Sequence, residues 1–333
     1  MHRALVTGGC GFLGSAVVRE LLARGVRVRV LAAPGEPRDN LTGLDVEIVE
    51  GDVRSVDAVR AVTAEVDTVF HLAAVYQDWA PDPTRMYDVN LRGTFHVLEA
   101  ARRAGVARVI YTASMVALGR PEPGAVGDER TPYEAWNVDF AYSRSKYFSR
   151  ELAEYFAAWG LDVRIVCPGI VLGPYDLRPT PSGKLIVNTV RRRGPMPWFD
   201  GGAAYVDVRD AAAVHVLVAE RGRAGERYLA VAHNLTNLEF IRAIDAAAGI
   251  RRRYVHLPVG LARAIGRAMD RRARRTGRPP LLSLDFFEYS LKPSFYSNRK
   301  SVEELGARYR PLDETLRDAI AYFRQRGFIP SPP

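Results

Sequence analysis

Apolar residues in the first half of the chain fall into two alternating rhythms. Short β-branched runs at RALVT (3–7), VRVRVL (26–31), VEIVE (46–50), DTVFHLA (67–73), RVIYTA (108–113) and DVRIVC (162–167) read as strands. Between them, apolar positions three and four apart at 14–25, 56–65, about 84–104 and about 140–159 predict helices. Gly25, Gly105 and Gly160 each sit just past a helix, where a left-handed cap favours a residue without Cβ. Strands and helices alternating through short loops give parallel strands joined by right-handed crossovers. The expected fold is therefore α/β, with a doubly wound parallel sheet.

After Gly173 the pattern changes. Prolines crowd 174–197, strands thin out, and helical patterns dominate about 237–275 and 301–326. This predicts a smaller, mostly helical unit over the carboxyl edge of the sheet, where open α/β sheets bind ligands. We expect a dinucleotide-binding unit over 1–173 and a substrate-binding unit over 174–333, with segments near 203–231 free to return to the first.

Composition narrows the class. The 333 residues, 47% hydrophobic and 26% charged, suit a soluble globular protein. No apolar run approaches the roughly 20 residues needed to span a bilayer, and no charged leader with an apolar stretch opens the chain. Cys10 and Cys167 make no disulfide framework, which fits a reducing cytoplasm. The six histidines lack metal-ligand spacing, so no metal is expected. The net charge of +9 gathers at Arg191 to Arg193 and in RRARRTGR (271–278), without an RNA-binding aromatic signature or zinc-finger spacing. Nucleic acid is therefore not an expected partner. The basic amphipathic stretch GLARAIGRAMDRRARR (260–275) reads as a packed helix with a solvated arginine face rather than a membrane contact.

The first candidate chemistry lies in TGGCGFLGSA (7–16), which follows the first strand and opens the first helix. Gly8, Gly11 and Gly14 permit a tight turn and close approach to a pyrophosphate, and the helix N-terminus adds free N–H groups. This is a Rossmann dinucleotide turn in its required context. Strand two ends in Leu31-Ala32-Ala33-Pro34, with Glu36 and Arg38 close behind. With no carboxylate at the strand tip to repel a 2′-phosphate, NADP is the expected cofactor and Arg38 its ligand, NAD being the alternative. Asp52 is placed to meet the adenine amino group, unless it merely caps the helix ahead of 55–65.

A second candidate is AYSRSKYF (141–148), where Tyr142 and Lys146 share one helix face. Of 47 basic residues only four are lysine, so a lysine here stands out. A tyrosine, with a free pKa of about 10, needs a nearby cation to work as an acid–base near neutrality. A compact ammonium can do that and also bind a ribose hydroxyl. Ser114 closes strand five at the same carboxyl edge, where its hydroxyl can hold a carbonyl.

These residues resemble the extended short-chain dehydrogenases/reductases over essentially the whole chain. TGGCGFLG looks like the family's nucleotide turn, which implies cofactor contacts from Gly8, Gly11, Phe12 and Leu13. GDV brings Asp52 and Val53, and FHLAA (70–74) brings Leu72, Ala73 and Ala74 beside the adenosine ribose. PGIVLGP (168–174) implies Pro168, Gly169, Ile170 and Val171 facing the nicotinamide, and Asn90 in DVNLRGT falls in family order. The resemblance implies that Tyr142 exchanges the proton at the substrate oxygen, Lys146 binds the nicotinamide ribose and lowers the tyrosine, and Ser114 bonds the carbonyl. WAPDP (79–83), PTPSGK (179–184) and GERY (225–228) look most like the dihydroflavonol-4-reductase-like branch, including hopanoid-associated sugar epimerases. A homodimer through the helices at 84–104 and 140–159 is a further implication.

Departures bear on the substrate. Met115 and Val116 stand where family dehydratases carry Asp-Glu. Nucleotide-sugar enzymes place an arginine ahead of the strand in WFDGGAAYVDVRD (198–210), where this chain has Ala203 and Ala204. Tyr76 and Trp79 after strand four, with Met196, Trp198 and Phe199 in the second unit, offer an apolar clasp for a small-molecule substrate. The expected activity is NAD(P)H-dependent interconversion of a carbonyl and an alcohol on a mid-sized, partly apolar molecule. The alternatives are a nucleotide-sugar epimerase and a non-catalytic redox sensor.

Overall fold

The computed structural model describes residues 1–330 except 78, 123, 135, 137–139, 281 and 282. Seven parallel strands form the main sheet: β1 (Arg3–Thr7), β2 (Arg27–Ala32), β3 (Glu47–Glu50), β4 (Thr68–His71), β5 (Arg108–Thr112), β6 (Val163–Pro168) and β10 (Arg227–Ala230). Their order is β10-β6-β5-β4-β1-β2-β3, so the winding reverses between β1 and β4. That reversal opens a crevice at the carboxyl edge, as doubly wound sheets do.

Alternate strand residues face opposite sides, and each side has its own core. Leu5, Val69, Val109 and Tyr111 pack on one face against α4 (Thr94–Arg103) and α5 (Ala141–Ala158). Ala4, Val6, Phe70 and Ile110 pack on the other against α1 (Phe12–Ala23) and α7 (Val208–Arg221). Each fully buried Val or Leu contributes roughly 1.5–3 kcal/mol relative to exposure. This two-sided burial is why the strands read as nearly continuous apolar runs.

Short elements complete this half of the chain. α2 (Val56–Thr63) follows β3, and α3 (Thr84–Tyr87) runs into α4. The helix expected as one piece over 84–104 is interrupted by a π-type turn at Asp88–Gly93. That turn holds Asn90, whose amide bonds both backbone groups of Val75 and the Ser145 hydroxyl, tying the loop after β4 to α5.

The later segments divide. α7 packs along α1, and β10 pairs with β6, so residues 208–230 extend the first unit. A three-stranded sheet is built from β7 (Ile170–Leu172), β9 (Gly202–Asp207) and β11 (His233–Thr236). It carries α6 (Pro181–Arg191), α8 (Asn237–Ala248) and α12 (Leu312–Gln325) around a third core with Phe240 and Phe323. β8 (Met196–Trp198) pairs with β12 (Tyr254–His256), and α11 (Arg299–Leu305) returns to α7 and β10.

α9 (Val259–Thr276) and α10 (Leu284–Ser290) pack together beside the crevice. The expected packed helix at 260–275 forms, but it buries only Ala262, Gly266 and Ala273. Its larger apolar residues Leu261 and Ile265 are exposed. Among the described residues no helix is long and apolar enough to cross a membrane.

Candidate functional site

One cavity of about 430 Å³ runs along the carboxyl edge of the sheet from the glycine turn to α5 and α10. At its first end the chain must pass very close to itself. Gly8 adopts φ +71, and a Cβ there would lie 2.8 Å from the Ala73 nitrogen. A Cβ on Gly14 would lie 2.0 Å from the Gly8 carbonyl oxygen. No side chain caps α1, and Gly11 to Gly14, its cap and first turn, line the cavity. Backbone amides and a helix dipole therefore face a space that side chains would fill, which fits a pyrophosphate.

Asp52 and Val53 line the next wall. Asp52 does not cap α2; the Ser55 hydroxyl does, accepting from the Ala58 amide. The Asp52 carboxylate accepts from the guanidinium and backbone N–H of Arg54, which holds it below the usual carboxylate range. Leu72, Ala73 and Ala74 complete this part of the cavity, as expected for residues after β4.

Behind them lies a network that sequence reasoning missed. His71 is buried and held neutral, its pKa pushed down to about 3 by desolvation. Its Nδ1 is 2.7 Å from Thr7 Oγ1 and its Nε2 2.9 Å from Thr94 Oγ1. Thr94 gives its hydroxyl proton to the Asn90 carbonyl, so it accepts from His71 Nε2–H. Thr7 then donates to Nδ1 while accepting from the Ala73 amide. One neutral tautomer satisfies every member and fixes the loop after β4.

The expected 2′-phosphate ligand is not on the wall. Arg38 is exposed and donates to Glu50 at 2.8 Å. Glu36 lines the cavity instead, its carboxylate accepting from the Ala33 amide at 3.0 Å, and desolvation raises its pKa. The tight turn after β2, closed by a Glu36 N–H to Ala33 carbonyl bond, decides which side chain turns inward.

At the other end Ser114, Tyr142 and Lys146 come together. Ser114 caps a short 3₁₀ turn, its hydroxyl accepting from the Val116 amide. Burial pushes the Tyr142 phenol up to about 12, against a smaller lowering by the Ser114 hydroxyl. Lys146 is 4% exposed and donates to the Thr112 carbonyl at 2.7 Å. Burial brings its amine down to about 8. The ammonium thus sits on the end of β5, 5.3 Å from the Tyr111 ring, rather than dominating the tyrosine as the sequence reading expected. Pro168, Gly169, Ile170 and Val171 face this end from β6 and β7.

The substrate candidates are partly redistributed. Tyr76 lines the cavity with its ring 4.5 Å from that of Tyr142. Trp79 instead reaches α9, donating to Asp270 at 3.2 Å. Met196 is buried in β8, and Trp198 packs on His256 of β12, both away from the cavity. Strand pairing, invisible in the sequence, draws them off. Phe140, Phe286 and Tyr289 take their place, in contact with one another. The aromatic run FFEY at 286–289 was the available signal. From the second unit, Gly202, Ala203, Ser290 and Ser294 add a wall without charge. Arg191 to Arg193 lie at the far end of α6, outside the cavity. Among the described residues no group of His, Cys, Asp and Glu could hold a metal.

Known proteins share this fold. The model of the NAD dependent epimerase/dehydratase family matches residues 4–231. Sterol demethylase protein B of Methylococcus capsulatus is 34% identical over 98% of this chain and 99% of that protein. Cinnamoyl-CoA reductase 1 of Oryza sativa subsp. japonica is 32% identical over 98% and 91%. The crystal structure of gox2253 superposes with a TM-score of 0.87 at 35% identity, over 99% of this chain and 100% of that one. The chain belongs to the NAD dependent epimerase/dehydratase family, as an NAD(P)-dependent enzyme of the extended short-chain dehydrogenase/reductase type.

Proposed function

We propose that this enzyme interconverts a carbonyl and an alcohol on a mid-sized, partly apolar substrate. Ser114 and Tyr142 line the cavity together with Phe140, Phe286, Tyr289 and Ala203, and among the described residues no cation lines the second unit's side; this observation carries the proposal. A nucleotide-sugar would bring a diphosphate to that side, where an arginine would be needed. Apart from Lys146, the basic residues lining the cavity are Arg54 and Arg85.

A nicotinamide bound there would supply or accept the hydride. The chain's own residues handle the oxygen. Ser114 and Tyr142 donate hydrogen bonds to the carbonyl, stabilising the charge that develops there. Tyr142 then gives its proton to that oxygen, forming the alcohol, and in reverse it takes the proton back. Lys146, one turn along α5, would hold a ribose hydroxyl. The test is consumption of NADH with apolar cyclic or aromatic ketones and aldehydes, set against UDP- and dTDP-sugars. Turnover of the sugar nucleotides alone would overturn the proposal.

The pH profile follows from the Tyr142 phenol. With its pKa near 12 it carries its proton at neutrality, ready to reduce. Reduction should be flat from about pH 6 to 8. Alcohol oxidation needs the phenolate, so its kcat/KM should rise about tenfold per pH unit. Equal, flat profiles in both directions would contradict this assignment.

For the cofactor we propose NAD(H) over NADP(H), reversing the sequence expectation. The inward carboxylate of Glu36 suits a ribose 2′-hydroxyl and repels a 2′-phosphate. NAD should bind at least about tenfold more tightly than NADP, equivalent to about 1.4 kcal/mol. Glu36→Gln should narrow that ratio severalfold by calorimetry. Tighter binding of NADP to the native enzyme would contradict the assignment.

A further inference from the structure

We propose that the outward face of α9 docks on an anionic lipid surface, beside the apolar end of the cavity. Leu261, Ala264, Ile265 and Ala268 are spaced three and four apart along the first half of α9, so they share one face. All four are exposed, Leu261 at 52% and Ile265 at 43%. The helix leans on the protein through small residues and turns its larger apolar ones outward, the inverse of an ordinary surface helix.

The second half of the same helix supplies charge. Arg267, Arg271, Arg272, Arg275 and the following Arg278 are all exposed. Among the described residues none of these five forms an ion pair, whereas Arg263 pairs with Glu288 and Arg274 with Asp270. An apolar stripe continuing into unpaired arginines is complementary to one environment, acyl chains under anionic headgroups. Arginine stems can lie along the lipid while their guanidinium groups stay with the phosphates. At 18 residues the helix is about 27 Å long and lies along such a surface rather than crossing it.

Its position gives the contact a purpose. α9 packs on α10, whose Phe286 and Tyr289 line the cavity, and Asp270 of α9 holds Trp79, three residues past the cavity residue Tyr76. An enzyme docked this way would draw an apolar substrate from the bilayer. That last step rests on the substrate class proposed above; the docking does not.

The test is sedimentation of the full chain with vesicles of phosphatidylcholine alone or mixed with phosphatidylglycerol. Sedimentation only with the anionic vesicles, released by high salt, is expected. The L261E/I265E and R271E/R272E/R275E variants should each bind at least about tenfold more weakly while keeping native NADH affinity. Absence of binding to anionic vesicles would overturn the proposal, as would variants that sediment like the native chain. A lower solution mass for L261E/I265E with vesicle binding unchanged would instead mark a chain–chain interface and also overturn it. Because vesicle binding is read without substrate, its failure is separable from failure of the reaction assignment.

Discussion

Tyr142→Phe should leave the protein folded and able to bind NADH while lowering kcat for carbonyl reduction by roughly 10²–10⁴. The phenyl ring keeps the packing, 4.5 Å from Tyr76 and 6.0 Å from Phe140, and only the O–H is lost. That O–H donates the proton, and neither neighbour in the site can replace it. Ser114 is too weak an acid, and Lys146 is anchored on the Thr112 carbonyl at the end of β5. Removing a polar atom raised to a pKa of about 12 by burial should leave the melting temperature nearly unchanged. Steady-state kinetics, NADH titration and a thermal melt together check this. A loss of less than tenfold, with binding intact, would remove Tyr142 from the chemistry.

The second large effect is structural. Gly14→Ala places a methyl 2.0 Å from the Gly8 carbonyl oxygen, against backbone that cannot rotate away. The first turn of α1 must shift, and that turn lines the cofactor end of the cavity. Stability should fall by about 1–3 kcal/mol or more, as for an overpacked core. NADH affinity should drop at least about 100-fold, since amides aimed at a pyrophosphate lose their geometry. Gly11→Ala is the internal comparison, because its Cβ would meet the Gly8 oxygen at 3.3 Å and needs little movement. A melt showing equal destabilisation by both variants would contradict the close-approach argument.

The parts readable from sequence were those set by local chemistry. β-branched runs, helical spacing and the glycine turn placed the six strands of 3–168 within a few residues, because each is decided by its own side chains. The Ser114, Tyr142 and Lys146 grouping was legible because all three sit at strand ends or one helix turn apart. What failed depended on distant packing. The π-type turn at Asp88–Gly93 follows from Asn90 reaching Val75 and Ser145, which no periodicity records. Trp79, Met196 and Trp198 have the right chemistry for a substrate clasp, but Asp270 and β12 claim them. Phe286 and Tyr289 arrive from about 145 residues beyond Tyr142. Glu36 and Arg38 are two residues apart, and a single turn sends one inward and the other onto Glu50.

A reductase of the proposed kind exchanges NAD(H) at every turnover, whereas an epimerase holds one cofactor throughout. Mass spectrometry of the nucleotide released on denaturing freshly purified protein tests this difference most directly. The account predicts a chain carrying much less than one nucleotide, which then binds added NADH reversibly. Retention of one NAD per chain that does not exchange with added cofactor would contradict it.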